Sequence, residues 1–219
     1  MNYYVVDTET TGLKSPAGVV EFSARKIDGN TLEELEHTAS LCNPMLPIEP
    51  GAQAIHGISD MDVVGAPLIE TVFKPEGPVV AIAHNWAYDS RFLAQHIGNL
   101  TGSLCTLSLS RQLIVGSENF KLGTLAKHLN LEVGTAHRAA GDTQTTLNLL
   151  RHLVSVSGRT LAQLVEAARK PKIIHTMTFG KYKGQTLSAL PKAYIEWFLG
   201  LGDIDKDLHL SLTNELKTR

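Results

Sequence analysis

The sequence predicts an α/β fold, and three observations predict it. Short apolar runs rich in β-formers occur at residues 3–6, 19–27 and 79–83, each bounded by Gly, Pro or polar residues. Other segments repeat their apolar residues at spacings of three and four, as in the 139–156 stretch, where Leu147, Leu150 and Val154 form one stripe. Beyond residue 171 the pattern changes to a Gly-rich basic turn followed by an aromatic helix, which predicts a small separate module.

The 219 residues are 43% hydrophobic and 19% charged, enough for one substantial core and a small appendage. No run of 18 apolar residues occurs, so no transmembrane helix and no membrane partner are expected. The N-terminus has no basic region leading into an apolar stretch, so no secretory signal is expected and the predicted location is the cytoplasm. Cys42 and Cys105 are too far apart for a metal knuckle and are expected to be free, buried thiols. The net charge of −2 hides an asymmetry. Residues 1–150 carry 9 Lys and Arg against 16 Asp and Glu, or −7, and residues 151–219 carry 11 against 6, or +5. An acidic body suits cation binding, and a basic tail suits a polyanion.

The first strand, at 3–6, ends in Asp7-Thr8-Glu9-Thr10. A Gly- and Pro-containing loop spans 11–18, a second strand 19–27, a hairpin turn Asp28-Gly29-Asn30, and a third strand lies within 37–43, which completes an antiparallel meander. Residues 53–64 read as irregular or briefly helical, with Ser59 as a cap, and Pro67 can open a helix to about Lys74. Residues 79–83 read as a fourth, fully buried strand, followed by a helix to about Ile97. Leu104-Cys105 suggests a short fifth strand, and helices follow at about 108–114, 120–129 and 139–156. Thr160 can cap a helix to about Ala168 that Lys170-Pro171 closes, and helices near 194–199 and 206–217 fill the tail. The expected organisation is a domain at 1–156, a linker or helix at 157–171 and a small basic module at 172–219.

Asp7 and Glu9 are two apart on a strand and point the same way. Two acids on one face repel and are costly to bury unpaired, and a hard cation bound through oxygens relieves both problems. Asp89 follows a buried strand at a helix start, where it could also serve the helix N-terminus. His137 and Asp142 are five apart, about 140° around a straight helix, so they cannot share a face. Asp142 is therefore expected on the helix and His137 on the loop leading in. Four carboxylates could hold two divalent cations that clamp a phosphodiester for attack by water. A histidine, with an ordinary pKa of about 6.5, suits the water's proton near neutral pH.

Together these motifs resemble the DEDD exonuclease superfamily, in the branch with histidine as base. D-x-E with T-G-L resembles the first motif. H-N-x-x-[FY]-D, His84 to Asp89, resembles the second, with Tyr88 where phenylalanine is commoner. H-R-A-x-x-D, His137 to Asp142, resembles the third, and Gln53-Ala54-Ile55-His56-Gly57-Ile58 supports them, over roughly residues 3–155. The tail segments 178–184 and 194–199 resemble the C-terminal module of the exodeoxyribonuclease X family. The resemblance implies an RNase H-like fold, a five-stranded mixed sheet flanked by helices, with a small C-terminal helical module. It also implies 3′→5′ hydrolysis of DNA to 5′-mononucleotides with Mg2+ or Mn2+. Asp7, Glu9, Asp89 and Asp142 would be the metal ligands, and His137 would complete the catalytic set.

The resemblance also places Thr10, Gly12 and Leu13 near the terminal nucleotide. Gly12 permits close backbone approach, and Leu13 either meets a base or folds back on the core. Leu13 and Lys14 are expected to help part a terminal base pair. His56 either touches phosphate or sugar or has a surface role. Asn85 either contacts substrate or fixes its turn, and Trp86 is assigned to the core. Glu21, a charge within an apolar strand, needs a partner, and Arg138 meets either phosphate or a carboxylate. Lys181, Tyr182 and Lys183 suit contact with a nucleic-acid backbone and bases, while Tyr194, Trp197 and Phe198 are assigned to the tail's core. The expected partners are single-stranded or duplex DNA 3′ ends, with RNA and a repair or polymerase protein docked on the tail as further options. The competing functions are an exoribonuclease, a proofreading-type subunit, and a non-catalytic nucleic-acid-binding module. The last should have lost at least one of Asp7, Glu9, Asp89, His137 and Asp142, and all five are present.

Overall fold

A computed structural model of the chain describes residues 1–13, 16–170, 173–177, 180–200 and 206–219. It separates into two compact units, Met1–Ala167 and Ala168–Arg219.

In the first unit β1 (Asn2–Thr10), β2 (Val19–Ile27) and β3 (Glu34–Leu41) form the antiparallel meander, and β4 (Val79–Ala83) and β5 (Leu100–Cys105) extend it in parallel. The five-stranded sheet has the order β3-β2-β1-β4-β5, the mixed sheet with flanking helices that the resemblance implied. The hairpin turn is closed by Asp28, whose Oδ1 accepts the Asn30 and Thr31 N–H groups at 2.8 Å each. Three boundaries differ from expectation. β1 runs through the acidic tetrad to Thr10, β3 starts at Glu34, and β5 starts at Leu100, because ladder pairing carries polar residues that periodicity alone does not mark as strand.

Between β3 and β4 lie α1 (Pro50–His56), α2 (Asp60–Val63) and α3 (Ile69–Val72). Pro50 opens α1, and Gly57 ends it at φ 74°. Ser59 caps α2 in a reciprocal box with Asp62, as its sequence position predicts. The helix expected to run from Pro67 to about Lys74 is only the single turn α3. Val20, Ile48, Ile58 and Val63 make a small core that holds α1 and α2 beside β2.

The strand faces are covered differently. Tyr3 and Val5 of β1 join Val80, Ile82 and Leu104 in a core capped by α5 (Thr106–Leu113), α6 (Leu122–His128), α7 (Ala139–Ser157) and α8 (Leu161–Arg169). Val6, with Phe22, Ala24, Val79 and Ala81, faces α4 (Trp86–Leu93) and Phe73 on the other side. Trp86 packs against this second core, as expected. α8 starts at a reciprocal cap: the Gln163 N–H donates to Thr160 Oγ1 at 3.2 Å, and the Thr160 N–H donates to Gln163 Oε1 at 3.0 Å. Within 157–171, Leu161, Leu164 and Val165 are buried in the core of the first unit. Cys42 and Cys105 are free, and burial pushes the Cys42 thiol up to about 12.

The second unit holds α9 (Lys192–Leu199) and α10 (Lys206–Lys217) around Met177, Leu187, Leu190, Ile195, Phe198, Leu208 and Leu212. Phe198 is buried and Tyr194 packs against this core, but Trp197 is 57% exposed. The expectation that Trp197 is core is therefore corrected. It lies one position before Phe198, about 100° around the helix, and turns outward.

The loop before α7 is seated by glycines. A Cβ on Gly141 would overlap the Thr135 backbone, and one on Gly134 would lie 2.5 Å from the Gly141 Cα. The Gly134 N–H also donates to Thr145 Oγ1 at 3.1 Å. Gly141→Ala is therefore expected to destabilise the protein by about 1–3 kcal/mol through overpacking. An unconstrained helix glycine would instead gain about 0.5–1 kcal/mol, so the sign of the change in denaturant unfolding decides whether this seat exists.

Candidate active site

The site begins with strand alternation. Asp7 and Glu9 project from the same face of β1 as Val5, the face covered by α7. Opposite them on β2 stand Ser23 and Glu21, their ladder partners, followed by Arg25. All three are buried, an unusual load of polar groups for a core strand. Each is satisfied by the first turns of α7. Glu21 accepts the Ala139 N–H at 2.8 Å and receives the Arg138 guanidinium at 2.6 and 3.1 Å. Ser23 Oγ meets Thr143 Oγ1 at 2.9 Å. Arg25 donates to Thr143 Oγ1 and to the Ala140 carbonyl, each at 3.1 Å, and pairs with Glu34. These bonds fix where α7 begins and so place Asp142 over Asp7 and Glu9.

One carboxylate oxygen from each of Asp7, Glu9 and Asp142 lies within 4.8 Å of the others. Asp89 belongs to α4 on the opposite side of the sheet. It is 3% exposed, and its Oδ1 accepts the Thr8 hydroxyl at 2.8 Å and the Thr8 N–H at 3.2 Å. Thr8 points to the α4 side, so Asp89 sits under the strand end beside the trio rather than within it.

Burial, then Asp89, Asp142, Glu9 and Glu21, drive the Asp7 carboxyl well above the usual carboxylate range. Burial and neighbouring acids push Glu9 up to about 7, while burial raises Asp89 to about 7 against the Thr8 hydrogen bonds. Asp142 is also raised, chiefly by burial, with the His137 N–H opposing. A bare cluster of this kind prefers protons. Oxygen-only donors at this spacing, with excess negative charge, fit a hard divalent cation.

His137 is exposed on the loop before α7, at φ 58°, and its backbone N–H donates to Asp142 Oδ2 at 3.1 Å. The division of this pair between loop and helix is the one its spacing predicts.

Two clefts flank the carboxylates. One, of about 680 Å³, is bordered by Glu9, Thr10, Leu13, Ile55 and Tyr88. The other, of about 790 Å³, is bordered by Asp7, Asp142, His137, His84 and Lys121. Leu13 is 72% exposed, so it does not fold back on the core. The Tyr88 hydroxyl is hydrogen-bonded to Thr10 Oγ1 and lies 3.4 Å from the Gly12 carbonyl, which it approaches as a donor. The departure from phenylalanine thus ties the first-motif loop to α4. Gly12 leaves room for the Glu49 carboxylate, which a Cβ would strike.

His56 is buried at the border of the cleft beside Glu9, which corrects the expectation of a surface role. Its Nδ1 accepts the Ile58 N–H at 3.0 Å, so Nε2 carries the proton and faces the Thr10 carbonyl at 3.3 Å. Both ring nitrogens serve the backbone, and His56 positions Thr10. Asn85 adopts φ 80° at the start of α4, with its side chain exposed. Arg138 takes the carboxylate option through Glu21. Lys14 lies outside the described residues, and Lys181 and Lys183 belong to the second unit. Reading the sequence missed Ser23, Arg25 and Thr143. For Ser23 and Arg25 the signal was present as their alternation with Glu21 in a strand that is mostly apolar; Thr143 had no such signal.

A model of the exonuclease family (RNase T type) matches residues 4–150. The chain belongs to this exonuclease family. Exodeoxyribonuclease 10 of Escherichia coli (strain K12) is 34% identical over 97% of this chain and 98% of its own. DNA polymerase III PolC-type of Bacillus subtilis (strain 168) is 31% identical over 68% of this chain but only 11% of its own length. Among solved structures, exonuclease X in complex with 5′ overhanging duplex DNA is 30% identical, with a TM-score of 0.64 over 75% of this chain and 98% of that one. Escherichia coli exonuclease I bound to a dT13 oligonucleotide, at 18% identity and a TM-score of 0.58, shares the fold. A further model, that of a quorum-sensing-regulated virulence factor, matches residues 162–208. No helix among the described residues of this exonuclease is long and apolar enough to cross a membrane.

A carboxyl whose pKa is raised by folding binds its proton more tightly in the folded chain. Metal-free stability is then fullest below the ordinary carboxylate range and declines as pH rises through about 7. Melting curves of the metal-free protein are expected to fall from about pH 5 to about pH 8. Asp7→Asn should flatten that fall and raise the melting temperature at the upper pH by a few degrees, roughly 2–4 °C per kcal/mol. Identical pH dependence in the two proteins would show that the acids do not strain the fold.

Proposed function

We propose that the chain is a 3′→5′ exodeoxyribonuclease that hydrolyses the terminal phosphodiester bonds of DNA and releases 5′-mononucleotides in a cytoplasmic repair setting. The observation that carries this reading is the convergence of Asp7, Glu9 and Asp142 beside the His137 loop. The full-length likeness to an exodeoxyribonuclease supports DNA as substrate.

Asp7, Glu9, Asp89 and Asp142 are the proposed ligands of two divalent cations, Mg2+ or Mn2+. When bound, such cations supply Lewis acidity for the attacking water and for the leaving 3′ oxygen. His137 is the proposed general base. Its ring stands on an exposed loop, so a proton taken from the water can pass to solvent. The hydrogen bond from its backbone N–H to Asp142 Oδ2 keeps that loop at the cluster. Asp89, held by Thr8, fixes the end of β1 and adds charge beneath Asp7. In the cleft beside Glu9, Thr10, Gly12 and the exposed Leu13 are proposed to receive the terminal nucleotide, with His56 and Tyr88 setting the loop. Residues 1–156 are the proposed exonuclease domain and 172–219 a basic module, in which Lys181 and Lys183 contact the DNA backbone.

Digestion of 5′-labelled DNA and RNA oligonucleotides of matched sequence tests the reading. With Mg2+ a ladder shortening from the 3′ end of DNA is expected, abolished by EDTA or Asp7→Ala. His137→Ala should lower kcat by about 10²–10⁴. A ladder on RNA alone would transfer the assignment to RNA trimming, and binding without cleavage would leave a non-catalytic module.

Leu13 presents apolar surface in a polar loop and is proposed to wedge a terminal base pair. Leu13→Ala should slow duplex digestion more than single-strand digestion; equal loss on both substrates would sink the wedge.

A further inference from the structure

The described aromatic residues of the second unit run from its core to its surface, with Tyr182 and Tyr194 half-buried against the core. Phe198 is buried with Ile195 and Leu212, whereas Trp197 is largely in solvent. Trp197 does not stand alone. Its ring centroid is 5.5 Å from that of Tyr194, which is 4.6 Å from that of Tyr182. Three rings thus form a continuous strip from α9 to the 180–184 turn.

That turn is built to complete the strip. Gly180 and Gly184 take φ values of 73° and 85°, where a side chain would be strained. The Gly184 N–H donates to the Met177 carbonyl at 2.7 Å, and the Lys183 N–H donates to the Gly180 carbonyl at 3.2 Å. Tyr182 is thereby set against Tyr194, with exposed Lys181 and Lys183 on either side of it in sequence. The Lys181 ammonium lies 5.4 Å from the Tyr182 ring centroid. Glu196, beside Trp197 in sequence, faces Lys192 at 3.8 Å. Residues 168–219 carry nine Lys and Arg against five Asp and Glu.

An exposed tryptophan continuous with two tyrosines and bordered by lysines matches one ligand chemistry well. Single-stranded nucleic acid offers flat π-faces at each step of an anionic backbone, so rings take the bases and cations take the phosphates. A protein partner docked through apolar contact would instead want a contact centre depleted of charge, whereas the Lys181 ammonium lies over one of the rings.

We propose that Trp197, Tyr194 and Tyr182, with Lys181 and Lys183, form a base-stacking platform for single-stranded DNA, a second binding site distinct from the carboxylate cluster. It takes DNA as its ligand from the exonuclease reading above. Every base has a π-face, so the platform binds without sequence preference.

The chain has two tryptophans, Trp86 and Trp197, so the part of the emission change that Trp197→Phe removes reports the platform. The titrant is a phosphorothioate oligothymidylate of about 12 nucleotides, within the span such sites cover. It resists cleavage by the metal-loaded enzyme. Native protein is expected to show quenching on binding. Trp197→Ala should lose the quench and bind about 10-fold more weakly, whereas Trp197→Phe should lose the quench yet stay within about 3-fold of native affinity. Lys181→Gln with Lys183→Gln should reduce the slope of log affinity against log salt by about 1.4. Unchanged affinity and quenching in Trp197→Ala would overturn the proposal, and unchanged DNA affinity with the quench alone lost would do the same, returning the strip to a protein-docking role. Failure of the exonuclease reading would show separately, as native protein that yields no 3′ ladder while the quench persists.

Discussion

The site depends on the seat of the α7 N-terminus against β2. Glu21 takes the first free N–H of the helix and the Arg138 guanidinium at once, and Ser23 and Arg25 extend the contact to Thr143 and the Ala140 carbonyl. Hydrogen bonds to charged groups are worth about 1.5–3 kcal/mol each, and leaving such groups buried without partners is costlier still. The arrangement is therefore close to all-or-none. Buried acids and a buried arginine on a sheet face are tolerable only if the helix arrives in one register, and that register sets Asp142 above Asp7 and Glu9.

The same seat stores a conflict. Three carboxylates converge at the end of a core strand, a fourth sits beneath them, and burial deepens their repulsion. The fold withstands this because two hydrophobic cores clamp the sheet from either side. Electrostatic repulsion within the cluster is the counterpart of affinity for a dication. The glycines at 134 and 141 let the His137 loop come close enough for its backbone to reach Asp142, so the candidate base and a candidate ligand share one short segment.

The second unit follows a different logic. Its apolar core is small, and its Gly-bounded turn arranges rings and lysines on the surface rather than polar groups in the interior. The first unit buries charge to bind charge, whereas the second exposes aromatic area.

Much of the chemistry was legible in the sequence. Period-two alternation put Asp7 and Glu9 on one face, a five-residue spacing separated His137 from Asp142, and buried strands 19–27 and 79–83 stood out by composition. These depend on local geometry, which covalent structure and hydrophobicity dictate. Tertiary structure alone decided which polar residues meet. Glu21 and Arg138 are 117 positions apart, and nothing local distinguishes a guanidinium that finds a carboxylate from one left for a phosphate. His56 turned inward because both ring nitrogens found backbone partners, and Trp197 outward because Phe198 took the core side of α9. Each outcome is a competition for partners that exists only once the chain has closed on itself.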